Sequence, residues 1–435
     1  MTQRFRSLDI FRGATVALMI LVNNPGSWAH LYPPLAHAPW HGCTPTDLIF
    51  PCFLFAVGNA LALVMSGLQP AGFWPRVLRR TALIFAIGLL LNAAPFVRWN
   101  ADGELVLRSW ETLRVMGVLQ RIALAFFGAA VVVRLVRHPR GVLSAAAVLL
   151  IGYWGVCVVF GAPGDPYSPA GWFGTAVDRA LLGDAHLYQG EGRPFDPEGL
   201  ASTAPAIAQV LLGWWVGQWL RHAVVTSVVT PAVTPVLTPG VTPGMTPVMT
   251  PGLTPARQPA PADHRRRWPL QLALCGLGLV GGALLMQQLG LPFNKKIWTP
   301  SYVLFSTGWA MVLLAALVAA VEGPGRPRAG WLAWWLTWWM SGWAWAFEGF
   351  GRNPLFIFVL SGLVPRVLAL WRWPAGVNSD GSTVWTSPLP ALYQYVFAGV
   401  GSDPRGGSLL YACALLAGYG ALAAWLHSRR IYIRV

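Results

Sequence analysis

Long apolar runs recur along the whole chain and constrain its fold more than any other feature of the sequence. Each run is close to the ~20 residues that a helix needs to cross the hydrocarbon of a bilayer. Ten runs stand out, at residues 8–28, 46–66, 79–98, 113–135, 141–161, 203–221, 269–289, 300–321, 353–371 and 406–427. The sequence lacks the alternating pattern of a membrane β-barrel. We therefore predict an all-α polytopic membrane protein with about ten transmembrane helices.

Arginine dominates the charge of the chain, whose formal net charge is +15 and whose only lysines are Lys295 and Lys296. The arginines cluster near both ends and in alternate loops between the apolar runs, as in the cytoplasmic loops of membrane proteins. We therefore predict that both termini are cytoplasmic and that the acidic loops lie on the far side. No basic stretch carries the interleaved aromatic residues of a nucleic-acid platform. The lipid bilayer is a predicted partner, and nucleic acid is not.

A proline-rich segment divides the chain into two parts. Between residues 227 and 264, Thr-Pro recurs every four residues. This pattern excludes a continuous helix and offers no face for packing, so we predict a disordered cytoplasmic linker. The linker separates a six-span part, residues 1–226, from a four-span part, residues 265–435.

The tryptophan-rich segment 331–347 has two interpretations. It is apolar enough to span a membrane, but its tryptophans also suit a helix that lies at the headgroup level, which is our prediction. If the segment spans, a further crossing at 386–402 is required and the count becomes twelve. The same segment is a candidate surface for a homodimer, a partner that the sequence leaves open.

Polar residues at the entry to the second apolar run are the strongest signal of a functional site. Asp47 lies inside the run and needs a partner or water there. It either orients a histidine, holds a cationic substrate, or forms a buried ion pair with Arg114 or Arg121. His37 is suited to proton transfer at neutral pH, although a histidine contacting lipid headgroups is the alternative. His37 and His41 have metal-ligand spacing on a helix, but prolines surround them and no third ligand is evident, so we predict no metal.

The long loop at residues 162–202 is a second candidate site. Loops of about 40 residues within a compact domain are usually functional. This one combines carboxylates with aromatic side chains, a mixture suited to a sugar or to an amine carried on a sugar. A solvated surface loop is the alternative interpretation.

Short motifs follow one another in a fixed order along nearly the whole chain. They are His37–Gly42, Thr46–Phe55, Gly117–Arg121, Asp178–Arg179 with Gly183–Gln189, Asp196–Gly199, and Pro292–Trp298 with Ser301–Tyr302. Together these motifs resemble those of the heparan-α-glucosaminide N-acetyltransferase family, and the chain is similar to the bacterial inner-membrane members. The resemblance implies transfer of an acetyl group from cytosolic acetyl-CoA, as co-substrate, to the amine of a glucosamine-type sugar across the membrane.

The resemblance also implies roles for individual residues. It carries the family's catalytic histidine onto His37 and the accompanying asparagine onto Asn23, with Asp47 positioning His37 or holding the ammonium. The matched motifs and the outside loops supply the sugar-binding candidates Trp40, Arg121, Asp184, His186, Tyr188, Glu198, Asn294, Lys295 and Trp298. Arginines assigned to the cytoplasmic side supply candidates for the CoA nucleotide, namely Arg12, Arg76 and Arg80.

Three further questions stay open at the level of sequence. The stretch from Asn23 to His37 is longer than the one we expect in the lysosomal members of the family, so the geometry of this loop is not predicted. The acetyl group either passes directly to the sugar or is first carried on a histidine. An amino-sugar transporter is the alternative function, although no inverted repeat is apparent, and a membrane scaffold is a third.

Overall fold

The computed structural model describes residues 5–65, 70–100, 102–228, 262–322, 342–379 and 381–433. Most of these residues are helical, because a backbone in hydrocarbon must satisfy its hydrogen bonds internally. The α helices are α1 Arg6–Asn23, α2 Ile49–Met65, α3 Pro70–Ala93, α4 Val118–Val136, α5 Pro139–Phe160, α6 Gly174–Leu182, α7 Thr203–Val228, α8 Ala262–Gln288, α9 Pro300–Glu322, α10 at residues 342–352, α11 Pro354–Leu368, α12 Pro388–Leu392 and α13 Pro404–Ser428.

Short elements occupy the connections. Strands β1 Val97–Trp99 and β2 Leu105–Leu107 form one antiparallel hairpin, and β3 Trp373–Val377 and β4 Thr383–Thr386 form another. Single 3-10 turns lie at Pro33–Leu35, Pro45–Leu48 and Asp184–His186, and a π turn at Tyr393–Phe397. The prediction of a helical polytopic protein is confirmed, with two small hairpins that it did not include.

Six helical segments in the described part of the chain are long and apolar enough to cross a membrane. They are Pro45–Val64, Val118–Val136, Pro139–Phe160, Trp268–Gln288, Pro300–Glu322 and Pro404–Ser428. Helix α11 is apolar but shorter. Three predicted boundaries were wrong. Helix α1 ends at Asn23 rather than at residue 28, because Asn24 leaves the helical conformation and Pro25 follows. Helix α3 ends at Ala93 rather than at residue 98, because Pro95 follows and the chain turns into β1. Helix α4 begins at Val118 rather than at residue 113, because Asn92 holds the preceding segment as a loop through Arg114 O and Met116 O.

Helices α2, α4 and α7 form the centre of the molecule. Their facing side chains belong to one buried cluster, which includes Leu54, Phe126 and Leu211. Helices α2 and α7 approach so closely that a Cβ atom on Gly58 would lie 2.0 Å from Val210 O, and one on Gly213 would lie 2.2 Å from Phe55 O. Small residues allow this kind of contact between helices in a membrane.

Replacing Gly213 by alanine is therefore expected to destabilise the fold by about 1–3 kcal/mol, because the new methyl group meets backbone atoms that cannot move aside. The thermal unfolding midpoint of the detergent-solubilised protein measures the effect. Gly155→Ala in α5 is the matched control, because the described residues leave more than 4 Å of open space around its Cβ position. Equal midpoints for the two variants would contradict the close crossing.

The connections that follow α1, α3, α5, α8 and α11 meet at one end of the molecule, which we call the site end. Gly42 N donates to Phe293 O at 2.8 Å, and Trp40 Nε1 donates to Tyr167 O at 2.8 Å. After α11 the chain reaches the same end, since Leu370 O accepts from Trp99 Nε1 at 3.2 Å. Loops that are far apart in sequence therefore share one surface.

The other end of the molecule, which we call the opposite end, is held by ion pairs and hydrogen bonds. Arg6 Nε lies 2.8 Å from Glu348 Oε2, which ties the start of α1 to α10. Ser7 Oγ donates to Glu322 Oε1 at 2.7 Å, which ties α1 to the end of α9. The two parts predicted on either side of the linker are thus packed against each other.

Parts of two predicted segments lie outside the described residues. Of the predicted linker 227–264, the stretch 229–261 is not described, while α7 and α8 reach into its two ends. Of the tryptophan-rich segment 331–347, the stretch 331–341 is not described. The remainder belongs to α10, which packs on α1 so closely that a Cβ on Gly13 would overlap Phe347 O.

Candidate active site

A capped turn places the first polar group of the site. Thr44 precedes the turn Pro45–Leu48, and its side chain and that of Asp47 form a reciprocal capping box. The sequence Thr-Pro-Thr-Asp supplies the usual residues for such a start. Thr44 provides the hydroxyl at the cap, Pro45 is the first residue of the turn, and Asp47 is the acid at its third position. Asp47 is thereby fixed at the mouth of α2 with 1% of its surface exposed.

Asp47 is paired with His37. Its Oδ1 lies 2.7 Å from His37 Nδ1, while its Oδ2 accepts from Ala38 N at 3.1 Å, Thr44 N at 3.0 Å and Thr44 Oγ1 at 3.1 Å. The carboxylate therefore orients the ring, and an Nδ1–H donated to it leaves Nε2 as an acceptor. His37 keeps 41% of its side-chain surface exposed, so this nitrogen can be reached from the site end.

Lys295 completes this group from the far part of the chain. Its Nζ lies 3.0 Å from His37 Nδ1, 3.4 Å from His37 Nε2 and 3.5 Å from Asp47 Oδ1. Burial lowers the pKa of Lys295, while the nearby carboxylates of Asp47 and Glu198 act in the opposite direction. The segment carrying Lys295 is held by Asn294, whose Oδ1 accepts from Ile297 N at 3.1 Å.

The predicted alternative partners of Asp47 are engaged elsewhere. Arg114 forms a bidentate pair with Asp196, at 2.9 and 2.7 Å, and contacts Glu198 at 2.6 Å. Burial acts to raise the pKa of Glu198, but the neighbouring cations Arg114, Arg121 and Lys295 lower it below its ordinary value. The alternative prediction, an ion pair of Asp47 with Arg114 or Arg121, was therefore wrong. Arg114 pairs instead with the carboxylates of the long loop.

Arg121 and Trp298 lie beneath the site rather than on its surface. Arg121 is fully buried at the start of α4, donates to Gly199 O at 2.9 Å and hydrogen-bonds Ser202 Oγ. Its guanidinium lies 5.2 Å from the centre of the Trp298 ring. This arrangement ties the end of the long loop to α4 and α9.

The other predicted sugar-binding residues surround the site in different ways. Tyr188 is 38% exposed, and Arg114 stacks on its ring at 4.7 Å. Trp40 packs on Phe195, with ring centres 5.3 Å apart. His186 Nδ1 contacts Leu113 O at 2.7 Å, and Asp184 is paired on the surface with Arg179, both bonds measuring 2.6 Å. Of this set, Tyr188 and Glu198 share the cation Arg114, whereas Asp184 belongs to a separate surface pair.

Neither His41 nor Asn23 forms a hydrogen bond with the His37–Asp47 pair within the described residues. His41 Nδ1 lies 3.4 Å from Asn294 Nδ2, and burial lowers the pKa of His41 despite the opposing charge of Asp165. The two histidines therefore face different partners. Asn23 is exposed at the end of α1, and its side chain forms no hydrogen bond within the described residues.

The arginines predicted to bind the CoA nucleotide lie away from the site end. Arg12 is paired with Asp9 at 2.5 Å in α1, and Arg80 of α3 stacks on Phe126 at 5.0 Å. Arg12 and Arg80 are close enough for their charges to repel. Arg76 lies one turn before Arg80 and is exposed.

Asp178 is a buried carboxyl within one of the sequence motifs, and no role was predicted for it. Its Oδ1 accepts from Ala201 N at 3.0 Å, while its Oδ2 has no partner among the described residues and faces Gly199, where a Cβ would lie 1.9 Å away. Burial raises the pKa of Asp178 to about 6, although the Ala201 amide and Arg121 act against this shift. The fold therefore favours the protonated form of this side chain.

The stability contributed by protonated Asp178 is thus present below its ordinary pKa of 3.8 and is lost as the pH rises through about 6. Asp178→Asn removes the charge. As the pH rises from 3.8 to about 6, the free energy of unfolding of the variant should therefore increase relative to that of the wild type by up to about 3 kcal/mol. Thermal unfolding at several pH values measures the difference. A difference that does not change with pH would contradict the raised pKa, because a packing defect is the same at every pH.

Three contacts of the site were not predicted from the sequence. The capping role of Thr44 is signalled by the acid three residues later. The pairing of Arg114 and Asp196 spans 82 residues, and no local pattern marks it. The contact of Lys295 with His37 spans 258 residues, and it depends on the packing of α9 against helices of the first part of the chain.

Comparison with known proteins relates the chain to one family. The family model described as heparan-alpha-glucosaminide N-acetyltransferase, catalytic, matches residues 4–239. The human heparan-alpha-glucosaminide N-acetyltransferase is 27% identical over 373 residues, which is 74% of this chain and 49% of the human protein. The mouse protein of the same name is 28% identical over 260 residues, which is 48% of this chain and 38% of the mouse protein. The chain therefore spans about half the length of the human relative.

Proposed function

The chain belongs to the heparan-alpha-glucosaminide N-acetyltransferase catalytic family, and we propose that it transfers an acetyl group from acetyl-CoA to the amine of a glucosamine-type sugar. The observation that carries the proposal is the pairing of a buried carboxylate, Asp47, with the accessible imidazole of His37 at 2.7 Å. Such a pair is suited to removing a proton from an ammonium group so that the amine becomes a nucleophile.

The proposed reaction is a direct transfer. Nε2 of His37 takes a proton from the sugar ammonium, and Asp47 stabilises the imidazolium that forms. The amine then attacks the thioester carbonyl, the C–S bond breaks, and CoA leaves as the thiol once it regains a proton. Asn23 is proposed to donate a hydrogen bond to the developing oxyanion, a role that requires the loop between Asn23 and His37 to close toward the acetyl group.

The acceptor is proposed to bind among the carboxylates at the site end. Asp47 and Glu198 lie near Lys295 and give this region negative groups suited to an ammonium. Tyr188 presents a partly exposed ring beside Glu198, a surface suited to the face of a sugar. Asn294 is fully buried, so it supports the acceptor site by holding the segment of Lys295 rather than by contacting the sugar.

The proposed topology places donor and acceptor on opposite sides of a bacterial inner membrane. Helices α1, α3, α5, α8 and α11 run toward the site end, and α2, α4, α7, α9 and α13 run away from it, which supports ten crossings with both termini cytoplasmic. We propose that the CoA nucleotide, whose charges cannot enter hydrocarbon cheaply, stays near Arg12, Arg76 and Arg80. Its pantetheine arm would then reach the site end between helices.

An assay with purified protein tests the proposed activity. Acetyl-CoA and glucosamine are supplied together, and N-acetylglucosamine and free CoA are measured. The proposal expects both products in equal amounts. Sugar uptake by proteoliposomes without any acetylation would favour the transporter instead. Steady-state kinetics that require both substrates to be bound together would support direct transfer over an acetylated histidine.

A further inference from the structure

A lysine of the protein already lies where an acceptor amine must approach the proposed base. Nζ of Lys295 is 3.0 Å from Nδ1 and 3.4 Å from Nε2 of His37. Nε2 is the nitrogen left free to accept a proton, and its 3.4 Å separation from Nζ is slightly longer than the ~2.6–3.2 Å of a direct proton transfer, as is common before a substrate binds. Lys295 and a glucosamine acceptor also carry the same reacting group, a primary amine.

We propose that Lys295 is a self-acetylation site, at which the protein transfers an acetyl group from acetyl-CoA to its own Nζ when no sugar amine is present. This inference rests on the proposed function, because it uses the same donor and the same base. In the proposed transfer Lys295 is only a neighbour of the acceptor, whereas here it becomes the residue that is covalently modified.

The modification follows the same chemistry as the proposed transfer. The Lys295 ammonium gives a proton to His37, and the neutral amine attacks the acetyl carbonyl carbon. An N–C bond forms, the C–S bond of the thioester breaks, and the sulfur takes the electron pair and a proton to leave as the CoA thiol. The product is an amide, which does not pass the acetyl group to a second amine under the same conditions.

The surroundings of Lys295 favour this reaction. Burial lowers the pKa of Lys295, so a larger fraction of the side chain is neutral than for a solvated lysine, although Asp47 and Glu198 limit the effect. The side chain keeps 20% of its surface exposed, which leaves a path for the acetyl group. Acetylation would remove the charge beside Asp47 and fill the position of the acceptor amine, so the modified protein should lose its transfer activity.

The adjacent lysine provides an internal control. Lys296 Nζ forms an ion pair with Glu191 at 2.6 Å and lies over the ring of Trp40 at 5.7 Å. It has no contact with His37 within the described residues. A difference in acetylation between the two lysines therefore reports the position beside His37 rather than the general reactivity of lysine with acetyl-CoA.

Isotope-labelled acetyl-CoA is incubated with purified wild-type protein without sugar, and fragmentation mass spectrometry then separates label on Lys295 from label on Lys296. We expect Lys295 to carry at least about tenfold more label than Lys296, and His37→Ala to remove the excess. Lys295→Arg, which keeps the charge, should abolish the label at this position. The label on Lys295 should resist treatment with hydroxylamine, because hydroxylamine removes an acetyl group from an imidazole but not from an amide.

A parallel assay with glucosamine separates the two proposals. Wild-type protein that acetylates glucosamine but labels Lys295 no more than Lys296 would overturn the self-acetylation site and leave the proposed function standing. Equal labelling of Lys295 in wild type and in folded His37→Ala protein would also overturn it. If neither glucosamine nor Lys295 is acetylated, the proposed function fails and the inference fails with it.

Discussion

His37→Ala is expected to lower the rate of acetyl transfer to glucosamine by at least about 100-fold. The ring lies 2.7 Å from the carboxylate of Asp47, which the capped start of a helix holds in place. Removing it takes away the nitrogen that is proposed to accept the proton of the sugar ammonium. The measurement is kcat with saturating acetyl-CoA and glucosamine, followed by chromatography of the N-acetylated product.

His41→Ala is the matched control for this variant. His41 lies four residues further along the same loop, but its ring faces Asn294 instead of Asp47. The control should keep kcat within about threefold of the wild type, since it leaves the proposed base in place. Both variants should unfold near the wild-type temperature, because neither ring is part of the buried clusters. Equal losses of kcat in the two variants would contradict a specific role for His37.

Asp47→Asn is expected to lower kcat by about 10²–10⁴-fold, through the orientation of His37 rather than through the loss of a substrate contact. Oδ2 of Asp47 accepts hydrogen bonds from Ala38 N and from the amide and hydroxyl of Thr44. These donors would keep the amide oxygen of the variant on their side and turn its NH₂ group toward His37. The ring would then accept at Nδ1 and carry its proton on Nε2, which leaves no acceptor for the sugar ammonium.

Thr44→Val separates this effect from the stability of the turn. It removes the hydroxyl that bonds Asp47 Oδ2 and Ala36 O, at 3.1 and 2.8 Å, but keeps the carboxylate beside His37. It should cost about 1 kcal/mol of stability, as the loss of a helix cap does, and should retain most of kcat. If the two variants lose kcat equally, Asp47 acts by stabilising the turn and not by orienting the ring.

The sequence predicted most of the helices because an apolar run near the length of a bilayer has few alternatives. It failed at boundaries, as at residues 94–117, where the interruption depends on the contact of Asn92 with Arg114 O. Pro95 is the one local signal there, and it marks the end of α3 correctly.

The candidate site, like the fold, could be predicted only in part from the sequence. The proximity of His37 and Asp47 follows from a separation of ten residues and a capped turn, so the sequence could suggest it. The position of Lys295 depends on the packing of α9 against α1, α2, α5 and α7, which no local pattern encodes. Lys295 was therefore assigned only to sugar binding from its motif, without its contact to the proposed base.

Transfer across a sealed membrane is the most direct test of the account. Proteoliposomes are prepared in which all protein molecules have the same orientation. Acetyl-CoA is added to the compartment that faces the opposite end of the protein, and labelled glucosamine to the compartment that faces the site end. We expect N-acetylglucosamine on the sugar side and CoA on the other, with neither formed by His37→Ala protein. Unmodified glucosamine crossing to the acetyl-CoA side, with no acetylated product on either side, would contradict it.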